Sequence, residues 1–177
     1  MNNKVLTVGS LAFDTIETPF TKIEKTIGIV LAIALLLLTL SGSGYFFFSL
    51  KTNIVQWIAY NACSPSSLVY LVGFIVFLYN KNAIGLALAF LPMYYFGTMG
   101  LFTFTWSGAN IFAQISHITM TLNLLWAGYI LYRLGDYKVF AQGLLWSIIL
   151  FVPFIAFVMY YCRTHADEIS SLLQMTA

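Results

Sequence analysis

Apolar residues run through this chain in long blocks, separated by short polar breaks such as Lys51-Thr52-Asn53, Asn80-Lys81-Asn82 and Trp106-Ser107-Gly108. A helix rises about 1.5 Å per residue, so roughly 20 apolar residues cross a hydrocarbon core of ~30 Å. The pattern predicts five such helices, over residues 27–49, 54–79, 83–105, 108–132 and 139–162. Short breaks make consecutive helices antiparallel neighbours. The expected fold is an all-α membrane protein, a five-transmembrane-helix bundle at 27–162. A short cytoplasmic N-terminal segment (1–26) precedes it and a tail (163–177) follows. In that tail Ile169, Leu172 and Leu173 stand at helical spacing behind Asp167 and Glu168, which fits a short interfacial helix; a frayed, solvated tail fits equally.

Charge sharpens this picture. Between Lys25 and Arg133 the only formally charged side chains are Lys51 and Lys81, too few to coat a domain in water. The chain is 60% hydrophobic and 8% charged, against about 25% charged in soluble domains. A net charge of +2 with no basic stripe excludes a nucleic-acid partner and leaves the lipid bilayer as the expected one. With the N-terminus inside, Lys4, Lys22, Lys25, Lys81, Arg133 and Lys138 are cytoplasmic, and only Lys51 and Arg163 lie outside, as the positive-inside rule favours. The expected location is therefore the cell membrane, multi-pass, N-terminus in and C-terminus out. The first apolar block begins near Ile27, behind Asp14, Glu17 and Glu24, unlike a cleavable signal peptide.

Polar residues inside apolar blocks are costly and carry the best pointer to function. No Asp or Glu lies within a predicted helix, which argues against the usual carboxylate proton relays. In the fourth helix Asn110, Gln114, His117 and Thr121 recur every four, three and four residues, forming one polar stripe. In the second, Asn61 and Ser64 reach a similar depth, and Pro65 is expected to kink or locally open the helix and free carbonyls. Gly42 and Gly44 in the first block, and Gly97 and Gly100 in the third, fall at the same level, whereas Ile29 to Leu38 is unbroken. These observations predict a polar pocket in the outer half of the bilayer, lined by Asn61, Ser64, Asn110, Gln114, His117 and Thr121. Its ligand would be a small polar molecule, handled together with a membrane protein partner. The competing reading is that the same groups only bond helices together in a structural or assembly protein.

Catalytic and metal chemistry find little support in the spacing. Cys63 and Cys162 are far apart and outside any metal-ligand motif, and His117 has no Cys, Asp or second His nearby in sequence. No Ser/His/Asp or HExxH arrangement occurs, so neither an enzyme nor a cofactor is expected.

The opening segment stands apart. An apolar, β-prone run ends at Val8-Gly9-Ser10, Asp14 follows, and then Glu17-Thr18-Pro19-Phe20. This stretch resembles the start of the PfkB (ribokinase-like) sugar kinase family. There the first strand ends in such a turn, and the Asp that follows hydrogen-bonds substrate hydroxyls. The resemblance covers about the first 28 residues, and the family's late GAGD-type motif, with its catalytic Asp and anion-holding amides, has no counterpart here. Phosphoryl transfer rests on that electrostatic cradle, so sugar kinase activity is not expected. The likeness is either the relic or fused opening of a kinase gene or a chance match.

Overall fold

The computed structural model describes residues 21–103, 105–108 and 110–174, so the kinase-like stretch around Val8, Gly9, Ser10 and Asp14 lies outside the described residues. Every regular element among them is helical. Helix α1 (Lys22–Gly44) runs on into a π-helical turn (Tyr45–Ser49), and α2 (Ile54–Tyr60) is followed at once by α3 (Cys63–Asn80). A broken run comes next: α4 (Ile84–Leu88), α5 (Phe90–Met93), a second π-helical turn (Tyr94–Thr98) and α6 (Gly100–Thr103). The chain closes with α7 (Asn110–Leu134), α8 (Tyr137–Thr164) and α9 (Ala166–Gln174).

Local chemistry sets these boundaries. The Thr21 hydroxyl accepts from the Glu24 amide at the start of α1, and the Glu24 carboxylate returns to the Thr21 amide, closing a capping box. Asn53 and Gln56 build the same box on α2. Asp136 caps α8 through the Val139 amide at 3.1 Å. Lys81 ends α3 in the left-handed region at φ 61°. The third run is broken where Pro92 lacks an N–H for the Leu88 carbonyl, and α4 ends at Leu88. Pro65 opens the second run as expected: it has no N–H for the Asn61 carbonyl, and the helix is interrupted at Asn61-Ala62. The Asn61 carbonyl accepts from the Ser64 amide at 2.9 Å instead. Within α3 itself Pro65 is the third residue, inside the first turn, where it causes no further kink.

Three helical runs, Lys22–Ser49, Cys63–Asn80 and Tyr137–Thr164, are long and apolar enough to cross a membrane. Their outer faces carry exposed Val30, Leu37 and Leu40 on α1, Val72 and Ile75 on α3, and Leu145 and Val152 on α8. Polar side chains point the other way: Gln114, Asn123, Ser67 and Ser147 are buried. Water would favour the reverse arrangement, so the surface matches association with a membrane.

Contacts fix the direction of each run. Asn123 of α7 donates from Nδ2 to the Leu31 carbonyl of α1 at 3.0 Å, and Trp126 Nε1 donates to the Glu24 carbonyl at 2.9 Å, so α1 and α7 are antiparallel. The Tyr70 hydroxyl donates to the Asn123 carbonyl at 3.4 Å, and Phe74 and Phe77 pack edge-on to Trp126, so α3 runs with α7. The broken run returns alongside both. A Cβ at Gly73 would lie 2.6 Å from the Gly85 backbone, and one at Gly97 would lie 2.9 Å from Met120 Cβ. Further along, α8 follows the broken run, its Phe151 meeting Tyr95 and Phe96. The apolar core, with Leu35, Phe74, Phe77, Leu86, Trp126 and Ile130, fills the end of the bundle where α1 begins and α3 and α7 finish.

Two substitutions test this packing. Gly73→Ala should destabilise the fold by ~1–3 kcal/mol, because two backbones must separate to admit the methyl group, whereas Val72→Ala on the outer face should change little. Asn123→Leu should cost roughly 1 kcal/mol, less than two full bonds, since the Asn123 Oδ1 has no partner among the described residues and its loss relieves a buried acceptor. Thermal unfolding in detergent measures both. A wild-type midpoint for Gly73→Ala would contradict the close helix crossing.

Candidate functional site

Polar chemistry collects at the end of the bundle away from the apolar core. A cavity of about 310 Å³ is lined there by Tyr60, Cys63, Met99, Gly100, Thr103 and His117, with Tyr95, Phe96 and Val158 among its apolar walls. Five stretches of chain build it: the end of α2, the start of α3, the second π-helical turn with the start of α6, the first half of α7 and the end of α8. The π-helical turn widens the helix by one residue in a turn, and here it sets Tyr95 and Phe96 on the cavity wall while Gly97 stays against α7. Gly100 touches the imidazole so closely that a Cβ would lie 2.7 Å from His117 Cε1, so only glycine lets α6 lie on that ring.

His117 is the centre of the arrangement. It is buried, with Nδ1 3.2 Å from Gln114 Oε1 and Nε2 3.5 Å from Cys63 Sγ. Gln114 is itself fully buried, and its Nε2 donates to the Leu101 carbonyl at 3.5 Å. That contact turns the amide oxygen toward the ring. An amide oxygen can only accept, so Nδ1 carries the proton and the lone pair of Nε2 points at the thiol.

The residues of the predicted pocket separate into groups. His117 lines the cavity and Gln114 orients it from behind. Thr121 returns its hydroxyl to the His117 carbonyl at 2.9 Å and packs beside Gly97, a purely helical role. Asn110 donates to Thr105 Oγ1 at 2.8 Å, closing the loop before α7. Asn61 and Ser64 face α1, where a Cβ on Gly42 would meet Asn61 Nδ2 at 3.9 Å and Ser64 Oγ at 4.0 Å. Asn61 Nδ2 is buried without a partner among the described residues. So of the stripe on α7 only Gln114 meets the His117 ring, while the two second-helix residues lie toward a different neighbour.

Three contributors were not anticipated. Cys63 is two residues past Asn61 and faces the imidazole. Tyr60 lines the cavity and donates its hydroxyl to Glu168 Oε2 at 2.9 Å, with Gln56 also bonded to that carboxylate, so α9 is held against α2. Met99 comes from the broken run. A second cavity of about 300 Å³, between α3, α4–α5 and α8, is apolar except for Ser66 and Ser147. Among the described residues no group of three or more His, Cys, Asp or Glu side chains comes together as a metal centre. Comparison with known proteins finds no family model, no curated protein and no solved structure that matches this chain.

Proposed function

We propose that the chain is an integral membrane protein of five crossings, with the N-terminus cytoplasmic and the C-terminus outside, and that the His117 cavity holds a small hydrophilic solute near the outer surface. It acts as a non-enzymatic binding or transport subunit. The crossings are α1, α2 with α3, the broken run, α7 and α8. Support comes from their alternating direction and from the charges at the two ends. Lys22, Lys25, Lys81, Arg133 and Lys138 sit at one end, Lys51 and Arg163 at the other. His117 is about two turns beyond Asn110, so it would lie about 10 Å below the outer boundary. The observation that carries the reading is the cavity itself: about 310 Å³ of space lined by the His117 imidazole and the Cys63 thiol at the end of the bundle away from the apolar core.

The competing reading, a structural or assembly protein, draws on Asn123, whose amide clamps α7 to α1 far from any cavity. Both uses of polar groups coexist in one bundle, and they separate by residue: Asn123 fastens helices, His117 lines space. The kinase-like opening is carried in this proposal as a relic of a fused gene and contributes no activity.

Accessibility of a thiol tests the proposal. In a Cys162→Ser background, a charged methanethiosulfonate added outside intact cells should modify Cys63, while a tag at the N-terminus should stay protected until the membrane is permeabilised. His117→Leu should remove the ring nitrogen that draws the thiol proton and slow that modification by roughly tenfold, while the thermal midpoint moves by less than about 2 kcal/mol equivalent. Reaction of Cys63 only from the cytoplasmic side would overturn the orientation. A fully inert Cys63 in folded protein would overturn the cavity reading in favour of assembly.

A further inference from the structure

Two donors that spacing keeps apart, one on α3 and one on α7, meet in the cavity with their lone pairs converging. Cys63 Sγ and His117 Nε2 are 3.5 Å apart. A sulfur and a nitrogen bound to one metal at ~2.3 and ~2.0 Å, at a tetrahedral angle, stand about 3.5 Å from each other. The imidazole is also held as metal-binding histidines are held: its far nitrogen donates to an amide oxygen, here Gln114 Oε1, which the Leu101 carbonyl keeps in place. A third soft donor lines the same cavity: Met99 is partly exposed, its chain neighbour Gly100 lies against the His117 ring, and three rotatable bonds let its thioether swing toward the pair when a metal binds.

We propose that Cys63, His117 and Met99 form a binding site for one soft monovalent metal ion, of which Cu(I) is the biological example. The proposal rests on the reading of this cavity as a binding site and names the class of its solute. The donor set selects the ion. Thiolate and thioether sulfur favour Cu(I), whereas zinc needs four nitrogen, sulfur or carboxylate ligands, and no group of three His, Cys, Asp or Glu side chains exists among the described residues. Charge selects it too. On binding, the Cys63 S–H bond breaks, the S–Cu bond forms and the proton leaves through the cavity. The ion enters already as Cu(I), so no electron moves. One thiolate and one monovalent cation sum to zero, which an apolar interior tolerates far better than the net charge a divalent ion would leave. Glu168, bonded to Tyr60 of the lining, adds a carboxylate beside the cavity that attracts cations.

The test uses the full chain, purified in detergent under anaerobic conditions with Cys162→Ser as background. Ag(I), a redox-inert stand-in, and Cu(I) should each bind at one equivalent per chain after desalting, and Zn(II) should not. Cys63→Ser should abolish the bound equivalent. His117→Ala and Met99→Leu should each weaken retention against a competing chelator by at least about tenfold, and Gln114→Leu, through loss of ring orientation, by roughly tenfold. Met99→Leu keeps size and apolarity, so its effect is read in a folded protein. X-ray absorption should show sulfur and nitrogen neighbours around copper. Wild-type affinity in both His117→Ala and Met99→Leu would reduce the site to a bare thiol and overturn the proposal, as would equal retention of Zn(II). Failure to retain Ag(I) or Cu(I) while the methanethiosulfonate still reaches Cys63 sinks the metal assignment and leaves the cavity reading standing. An unreactive Cys63 sinks the cavity reading itself.

Discussion

Hydrocarbon gives a polar group nothing to bond to, and the three helices long and apolar enough to cross a membrane are arranged as that constraint requires. Every backbone amide and every polar side chain on an apolar helix has to find its partner inside the protein, and apolar side chains gain nothing by hiding from their surroundings. Val30, Val72, Ile75 and Val152 therefore lie on the outside, while Gln114 and Asn123 are wholly enclosed. The Asn123 amide shows how the constraint becomes architecture. Its Nδ2 bonds the Thr119 carbonyl of its own helix and the Leu31 carbonyl of α1, so a side chain that could not face lipid becomes the register pin between two helices.

With no hydrophobic force drawing helix to helix, close packing has to supply the remaining cohesion. It does so where side chains vanish or where flat rings meet. Gly73 on Gly85 lets α3 and α4 touch backbone to backbone, and Trp126 fills the space between α1 and α3, edge-on to Phe74 and Phe77. These contacts all lie toward one end. At the other end the third run is broken by Pro92 and loosened by a π-helical turn, so its residues cannot stack as a smooth cylinder, and space opens between it, α3 and α7. Tight packing at one end and irregular backbone at the other are two consequences of where Gly, Trp and Pro fall along the chain.

How much of this could be read in advance depends on whether the signal was local. Helix content and the polar stripe on α7 follow from spacing along one helix, and Gln114 and His117 do face the same way and touch. The depth of Asn61 and Ser64 is also a one-helix argument, but which neighbour they face depends on the rotation of their helix against α1, and they turn to Gly42. Cys63 has the same cause in reverse. Fifty-four positions from His117, it meets the ring only through the parallel packing of α3 and α7. Asn123 was passed over because it sits two residues beyond Thr121, about 200° around the helix from it and so off the stripe. Pro65 is a local signal too: lacking an N–H for the Asn61 carbonyl, it opens the second run at Asn61-Ala62 and then sits harmlessly in the first turn of α3.

These misjudgements share a direction that bears on the chemistry of the cavity. A stripe of amides and hydroxyls on one helix invites the picture of a uniformly polar pocket, yet each amide and hydroxyl in it is turned to another duty: Thr121 to its own helix, Asn110 to the preceding loop, Gln114 to the ring of His117. What remains facing the space is the imidazole lone pair, and opposite it a sulfur from another helix. Saturating hard donors internally while leaving soft ones turned inward makes the cavity a poor host for a heavily hydrated ion and a good one for a polarizable one. The same bonds that hold the amides also fix the imidazole, so its orientation is set before any solute arrives, and binding need not order it.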